Sequence, residues 1–198
     1  MSPPYWWQVR VLLIVAGASS LPLILHLVTH PALLRRRLRS GPLAEREPVQ
    51  RVIALLLQIS IFAVAAMSAL DHDSSWSHVP VLAVVLGDLF VSGGLLLLWQ
   101  VFRANAYAAA TVTVESNQPV ISSGPYALVR HPMYSALLLI FLGVPPGLGS
   151  WWGLVFVLPL LGTLIWRLRN EERYLSKHLP GYQAYCGQVT HRLIPRVW

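Results

Sequence analysis

Two short stretches of the 198-residue chain concentrate side chains able to do chemistry. The first is Gly124-Pro125-Tyr126 followed by Val129-Arg130-His131-Pro132-Met133-Tyr134; the second is Arg167, Glu171 and Glu172. Pro132 biases His131 away from helical backbone and itself suits the first position of a helix. A helix is therefore predicted to start at Pro132, with free backbone N–H groups near Met133 and Tyr134. Such a start attracts anions, here with Arg130 and His131 beside it. The same residues also serve a chain that merely turns into a membrane with Arg130 against phosphate head groups, and spacing alone leaves both readings open. Arg167 and Glu171 stand four residues apart and share a helix face. In isolation that pattern reads as an interfacial ion pair with a snorkelling arginine. Brought level with His131 and Tyr134, it would complete a pocket of carboxylate, guanidinium, imidazole, phenol and helix N-terminus. Such a pocket suits a zwitterionic ligand, with Glu171 taking an ammonium and the helix start a carboxylate.

The elements that must position these groups are apolar. Hydrophobic residues make up 55% of the chain and charged residues 12%, with a mean hydropathy of +0.56, against about a quarter charged in a soluble domain. The excess needs an apolar surrounding larger than a 22.0 kDa core can supply, so an integral membrane protein is expected. A formal net charge of +7 would suggest nucleic acid in a soluble chain. Here the basic residues lie between apolar runs, as topology signals and anionic head groups require, and no nucleic-acid partner is expected. The single Cys186 excludes an internal disulfide framework. No histidine or cysteine cluster has metal-ligand spacing, so no metal site is expected.

Val11 to Val28 runs 18 residues without a formal charge, after Trp6 and Trp7. A cleaved signal peptide would need more than Arg10 as its basic flank and a longer apolar stretch before Ala16-Gly17-Ala18, so a retained span is expected. A polar loop from Pro31 to Arg51 follows, with Arg35, Arg36, Arg37, Arg39, Arg46 and Arg51. Val52–Leu70 is the second span, and Val79–Phe102, interrupted by Asp88 and Gly93-Gly94, is the third. Met133–Val144 ends at Pro145-Pro146, and Trp151–Trp166 is the fifth apolar run. Twelve residues of helix reach about 18 Å against a hydrocarbon core of about 30 Å. The fourth helix must therefore extend across the Pro-Pro turn or sit in a thinned part of the bundle. The tail from Arg167 permits helix until Pro180-Gly181.

The predicted fold is an all-α integral membrane protein of five transmembrane helices, the last two forming a helical hairpin, with a cytoplasmic C-terminal helical tail. With the 31–51 loop in the cytoplasm, fourteen of the fifteen Lys and Arg residues lie there, all but Arg10. The N-terminus then faces outward, and tryptophans fall near span ends on both sides as an aromatic belt. Asp88 is an intramembrane carboxylate and a functional candidate by default, equally read as capped by neighbouring Ser or Gly backbone or as lying near a thinned edge. Gly93-Gly94 is expected to permit close helix packing. Asn105 is assigned to structuring a loop, His26 and His30 to the interface, and Tyr182 and Tyr185 to anchoring the tail.

Gly124-Pro125-Tyr126 with Arg130-His131-Pro132-Met133-Tyr134 resembles the signature of the isoprenylcysteine carboxyl methyltransferase family. Arg167-Leu168-x-x-Glu171-Glu172-x-x-Leu175, then Gly181-Tyr182-x-x-Tyr185 and Arg192-Leu193-Ile194-Pro195, resembles its C-terminal signature. The resemblance covers about residues 105–195. It implies a single integral membrane methyltransferase domain over residues 1–198, with three N-terminal spans in 1–103 and a cofactor-binding half in 104–198. The implied cofactor is S-adenosylmethionine, with contacts at Gln118, Pro119, Val120, Ile121, Tyr126, His131, Pro132, Met133, Tyr134 and Glu171. Family members that methylate a carboxylate associate the arginine at Arg167 with the substrate, which makes Arg167 a catalytic and substrate-binding candidate.

The chemistry is consistent with that implication. No G-x-G-x-x-G loop follows a strand, which excludes a Rossmann methyltransferase. Methyl transfer from a sulfonium needs an aligned nucleophile and a dry site rather than a strong acid or base. A carboxylate acceptor needs only orientation, for which Arg167 is suited. A thiol or ammonium must lose a proton, for which His131 is the best-placed residue. The acceptor is thus a lipophilic or small molecule reached from the bilayer: a carboxylate as in isoprenylcysteine methylation, a phospholipid amine, or a small thiol. A non-catalytic membrane protein that retains the fold is the reading from another class. A transporter is disfavoured, because the chain offers no repeat and no charged pathway. Short loops and the lack of a targeting sequence lead to a prokaryotic cell membrane as the expected location, with the active site cytoplasmic.

Overall fold

A computed structural model describes residues 6–38, 45, 47–108, 114 and 118–198 of the chain. Arg39 and Arg46 of the basic loop lie outside the described residues. Among the described residues seven α-helices follow one another: α1 (Trp6–Thr29), α2 (Pro31–Leu38), α3 (Pro48–Asp73), α4 (Val81–Ala104), α5 (Pro132–Gly147), α6 (Trp152–His178) and α7 (Tyr182–Gln188). A 3-10 turn, Gly124–Ala127, precedes α5, and no strand occurs among the described residues. In lipid every backbone N–H and C=O must be bonded within the protein, which restricts uncharged runs of this length to helix. Four helices, α1, α3, α4 and α6, are long and apolar enough to cross a membrane, while α5 has 16 residues.

Of the segment expected as a polar loop, residues 31–38 and 48–51 are helical. Pro31 starts α2 and Pro48 starts α3, both at the position where a fixed φ favours helix initiation. Arg35, Arg36 and Arg37 occupy the last turn of α2, where cations complement the helix dipole. Arg36 and Arg37 also have partners. Arg36 donates to the Ala106 carbonyl at 2.8 Å and lies over the Tyr107 ring, and the Arg37 guanidinium lies 4.7 Å over the Phe102 ring.

The long helices alternate in direction. At one end, His26 on α1 meets the Phe102 carbonyl of α4, Arg37 on α2 meets Met133 at the start of α5, and Arg167 on α6 meets Tyr134. At the other end the Asp71 carboxylate of α3 accepts from Ser77, Ser150 and the Trp152 N–H, which ties the end of α3 to the start of α6. Packing places α5 between α4 and α6. α1 lies on the outer side of α4, and α3 lies on α6 rather than beside its chain neighbours. Asp88 sits beside Gly147 at the end marked by Asp71, with one carboxylate oxygen buried and unbonded.

The α4–α5 contact is set by glycine. A Cβ at Gly87 would stand 2.7 Å from the Gly143 carbonyl oxygen, and one at Gly94 would stand 2.7 Å from the Ala136 carbonyl oxygen. Gly93, expected to share in this, faces open space. Small residues let backbones in lipid approach this closely. Helix α5 does not end at Pro145-Pro146 but runs on through both to Gly147. Both prolines lie in its final turn, so their missing N–H groups interrupt only its last bonds. Gly149 then adopts φ +76° and donates to the Pro146 carbonyl, while Ser150 donates to the Pro145 carbonyl, each at 2.9 Å. That bonding pattern closes a helix on a left-handed glycine.

Gly143→Ala places a methyl group on the Gly87 carbonyl and is expected to destabilise the bundle by about 1–3 kcal/mol. Gly93→Ala is expected to leave stability unchanged. Thermal unfolding in detergent checks the pair, and equal effects at the two positions would contradict the glycine contact.

Candidate functional site

The site forms where α5 begins, and the sequence accounts for its walls. His131 has non-helical backbone (φ −125°, ψ 61°) ahead of Pro132 and caps α5, in line with the bias of a His-Pro step away from helix. The N–H groups of Arg130 and His131 donate to the carbonyls of His191 and Arg192 at 2.9 and 3.0 Å, and Ser135 Oγ donates to the Leu193 carbonyl at 2.6 Å. The tail is thereby fastened along the start of α5. Gly181 takes a left-handed turn at φ +84°, which launches α7 and folds Tyr182 and Tyr185 back over the site.

A cleft of about 800 Å³, counting its open mouth, lies between these elements. Glu171, Leu175 and Leu179 line one side of it. Glu171 and Leu175 stand one turn apart on α6, and Leu179 caps its end. Gln118, Pro119, Val120, Ile121 and Tyr126 form the opposite side, with Arg130, His131, Pro132, Met133 and Tyr134 between. Tyr182 and Tyr185 complete the enclosure. All ten residues expected as cofactor contacts thus line one cleft. So do Arg130, Leu175, Leu179, Tyr182 and Tyr185, which the sequence reading did not assign to it. The four-residue rhythm on α6 was the available signal for the two leucines.

Asn105 both structures its loop and enters the site: its Oδ1 accepts the Tyr107 N–H at 2.9 Å, and its Nδ2 donates to Tyr126 Oη at 3.0 Å. Burial pushes the Tyr126 hydroxyl up to about 12, with the Asn105 bond opposing, so its own proton stays available for donation into the cleft.

Two features differ from expectation. First, the start of α5 offers fewer free donors. Pro132 has no N–H, and the N–H groups of Tyr134 and Ser135 both return to the His131 carbonyl, at 3.0 and 3.2 Å. The capping residue's own carbonyl takes the first-turn donors as the turn tightens. Second, Arg167 does not line the cleft. It is buried behind Tyr134, with Nη2 2.6 Å from Glu45 Oε1 and Nε 3.2 Å from the Tyr134 hydroxyl oxygen. Tyr134 in turn donates a very short hydrogen bond to Glu171. The expected link between Arg167 and Glu171 therefore runs through a phenol.

Glu172 has a role that its place in the motif did not reveal. It faces away from Glu171 and meets three bases: Arg130 Nε at 3.1 Å, His131 Nε2 at 3.4 Å and Arg192 Nε at 2.9 Å. One carboxylate thus binds the loop before α5 and the C-terminal segment to α6. Glu45 was equally unforeseen. It is 3% exposed, an acid from an arginine-rich segment that sequence periodicity could not assign to the bundle interior.

A helical membrane protein with a polar, ligand-sized cleft at the start of a short Pro-initiated helix is the class that fold and site define. Residues 82–181 match the phospholipid methyltransferase family, and the chain belongs to that family. It is 29% identical over 171 residues to the cobalt-zinc-cadmium resistance protein CzcN of Cupriavidus metallidurans, covering 85% of this chain and 72% of that protein. It is also 32% identical over 91 residues to the Delta(14)-sterol reductase TM7SF2 of Mus musculus, covering 44% of this chain and 22% of the reductase.

Removing one member of a buried ion pair strands the other charge. Glu45→Gln and Arg167→Met are each expected to cost about 3–5 kcal/mol of unfolding free energy. The double variant is expected to lose clearly less than the sum. Unfolding of the four proteins in one detergent measures the coupling, and strictly additive losses would contradict it.

Proposed function

We propose that the chain transfers a methyl group from S-adenosylmethionine, bound in the cleft, to a lipophilic or small acceptor entering from the bilayer. The observation that carries this reading is the polarity of the cleft. A carboxylate, Glu171, stands at the α5 end, and aliphatic and aromatic side chains continue from it toward α7. That order of groups fits a molecule with an ammonium at one end and a flat heterocycle at the other. Membership of a methyltransferase family supports the same donor. The sterol reductase relative names a different chemistry for 91 shared residues, so the experiment must read the donor directly.

When bound, S-adenosylmethionine supplies a methyl group activated by its sulfonium. Glu171 holds the ammonium with the carboxylate that Tyr134 orients from behind. Leu175, Leu179 and Val120 exclude water around the rest of the ligand. His131 donates from Nε2 to Glu172 in this arrangement, which leaves Nδ1 as its basic atom. That nitrogen is the one to accept a proton from a thiol or ammonium acceptor. Arg167 meets a carboxylate acceptor only if Glu45 yields its place, whereas a phospholipid amine or a small thiol requires no exchange. This favours those two acceptor classes over the isoprenylcysteine carboxylate.

We further read the chain as one functional unit with five crossings, α5 being the shortest. Its 16 residues reach about 24 Å, and the buried glycine contact with α4 and the cover of α6 let it traverse a thinned region. The basic end, with Arg36, Arg37, Arg130 and Arg167, is assigned to the cytoplasm by the positive-inside rule.

Binding of S-adenosylhomocysteine to the detergent-purified protein tests the donor. Saturable binding is expected, weakened about ten- to a hundredfold in Glu171→Ala by loss of one charge-assisted contact. A folded wild-type protein that binds neither S-adenosylmethionine nor its product overturns the reading and leaves a non-catalytic membrane protein.

A further inference from the structure

The cleft contains one buried hydroxyl without an acceptor among the described residues, beside an arginine that is ion-paired but not hydrogen-bonded through its Nε. The Tyr182 hydroxyl is inaccessible and has no hydrogen-bond partner among the described residues, and Tyr182 as a whole is 4% exposed. Arg130 Nε is also buried and unbonded: it lies 3.1 Å from Glu172 Oε1 but is not aligned to donate to it. Both residues line the cleft. An unmade hydrogen bond at a buried hydroxyl costs free energy that a packed protein normally avoids. Tyr185, one turn away on α7, shows the usual solution by donating to the Tyr126 carbonyl at 2.7 Å.

The surroundings of the Tyr182 hydroxyl identify which end of a ligand it faces. Burial, Cys186, Glu172 and Glu171 raise its pKa above that of an ordinary phenol, and Arg130 opposes them. The hydroxyl therefore remains protonated and lies within reach of the charges at the α5 end. A ligand ammonium held by Glu171 would bring its neighbouring carboxylate into the same region. The start of α5 is poorly suited to that carboxylate, because the Tyr134 N–H is already returned to His131.

We propose that Tyr182, aided by Arg130, is the carboxylate-binding residue for the amino-acid end of the cleft ligand. This rests on the S-adenosylmethionine reading and assigns a residue of α7 to recognition of that molecule. The contact also gives α7 a reason to fold over the cleft: a bound carboxylate supplies the acceptor that the Tyr182 hydroxyl lacks.

Tyr182→Phe removes the hydroxyl and nothing else. Two probes separate the ends of the ligand: S-adenosylhomocysteine, and its decarboxylated analogue, which keeps the ammonium, thioether and adenosine. Tyr182→Phe is expected to weaken S-adenosylhomocysteine about ten- to a hundredfold, as for a hydrogen bond to a charged group. It is expected to leave affinity for the decarboxylated analogue and the ligand-free thermal midpoint unchanged. Glu171→Gln is expected to weaken both probes. Equal weakening of the two probes by Tyr182→Phe would mean a structural role or an adenosine contact and overturns the proposal, as does unchanged affinity for S-adenosylhomocysteine. Wild-type protein that binds neither probe overturns the donor assignment itself, and this assignment with it.

Discussion

Arg167 brings a full positive charge into the packed interior of the bundle, and much of the site's arrangement follows from compensating it. A guanidinium there requires a carboxylate and further acceptors, because desolvating an unpaired charge costs several kcal/mol. Glu45 supplies the carboxylate, and its position draws part of the segment between α2 and α3 into the interior. The Tyr134 hydroxyl supplies the second acceptor and passes its own proton toward Glu171. A charge that does not touch the cleft thus fixes the rotamer of the carboxylate that does. The same chain of contacts sets the register of α5 against α6, since Tyr134 can bridge Arg167 and Glu171 only at one relative height.

That register has to agree with the far end of the bundle. There Asp71 gathers Ser77, Ser150 and the Trp152 N–H, and Gly149 can turn only because Ser150 and Leu148 close the end of α5 behind it. Between the two ends the backbones of α4 and α5 approach at Gly87, Gly94 and Gly143 more closely than any side chain would allow. A short helix held by polar clamps at both ends and by backbone contact along its length has little freedom to slide. The start of α5 therefore presents His131, Met133 and Tyr134 to the cleft in a fixed arrangement.

The helices were legible in the sequence because lipid leaves a long uncharged run few other ways to bond its backbone. Pro132 and the His-Pro step located the start of α5 for an equally local reason. What the sequence did not disclose depends on contacts between distant segments. Pro145-Pro146 read as the end of the apolar run, which the helix had either to cross or to stop at; the bonding that ends it belongs to Gly149 and Ser150. The arginine run of α2 read as solvated loop, although Phe102 and Tyr107 lie beneath it. Glu45 and Arg167 lie 122 residues apart, and no local pattern joins them. Glu171 and Glu172 look equivalent side by side, yet helical geometry turns one toward the cleft and the other toward Arg130, His131 and Arg192.

The division of labour between those adjacent acids explains how a site of this polarity can exist beside lipid. Glu172 gathers the bases of the α5 approach and the tail into one neutralising cluster, which removes them from competition for Glu171. Glu171 accepts from a neutral phenol, which orients its carboxylate. A carboxylate at the edge of a low-dielectric region attracts a cation much more strongly than it would in water. The acid that gathers these bases is Glu172, which does not line the cleft, while Glu171, which does, is left to face it.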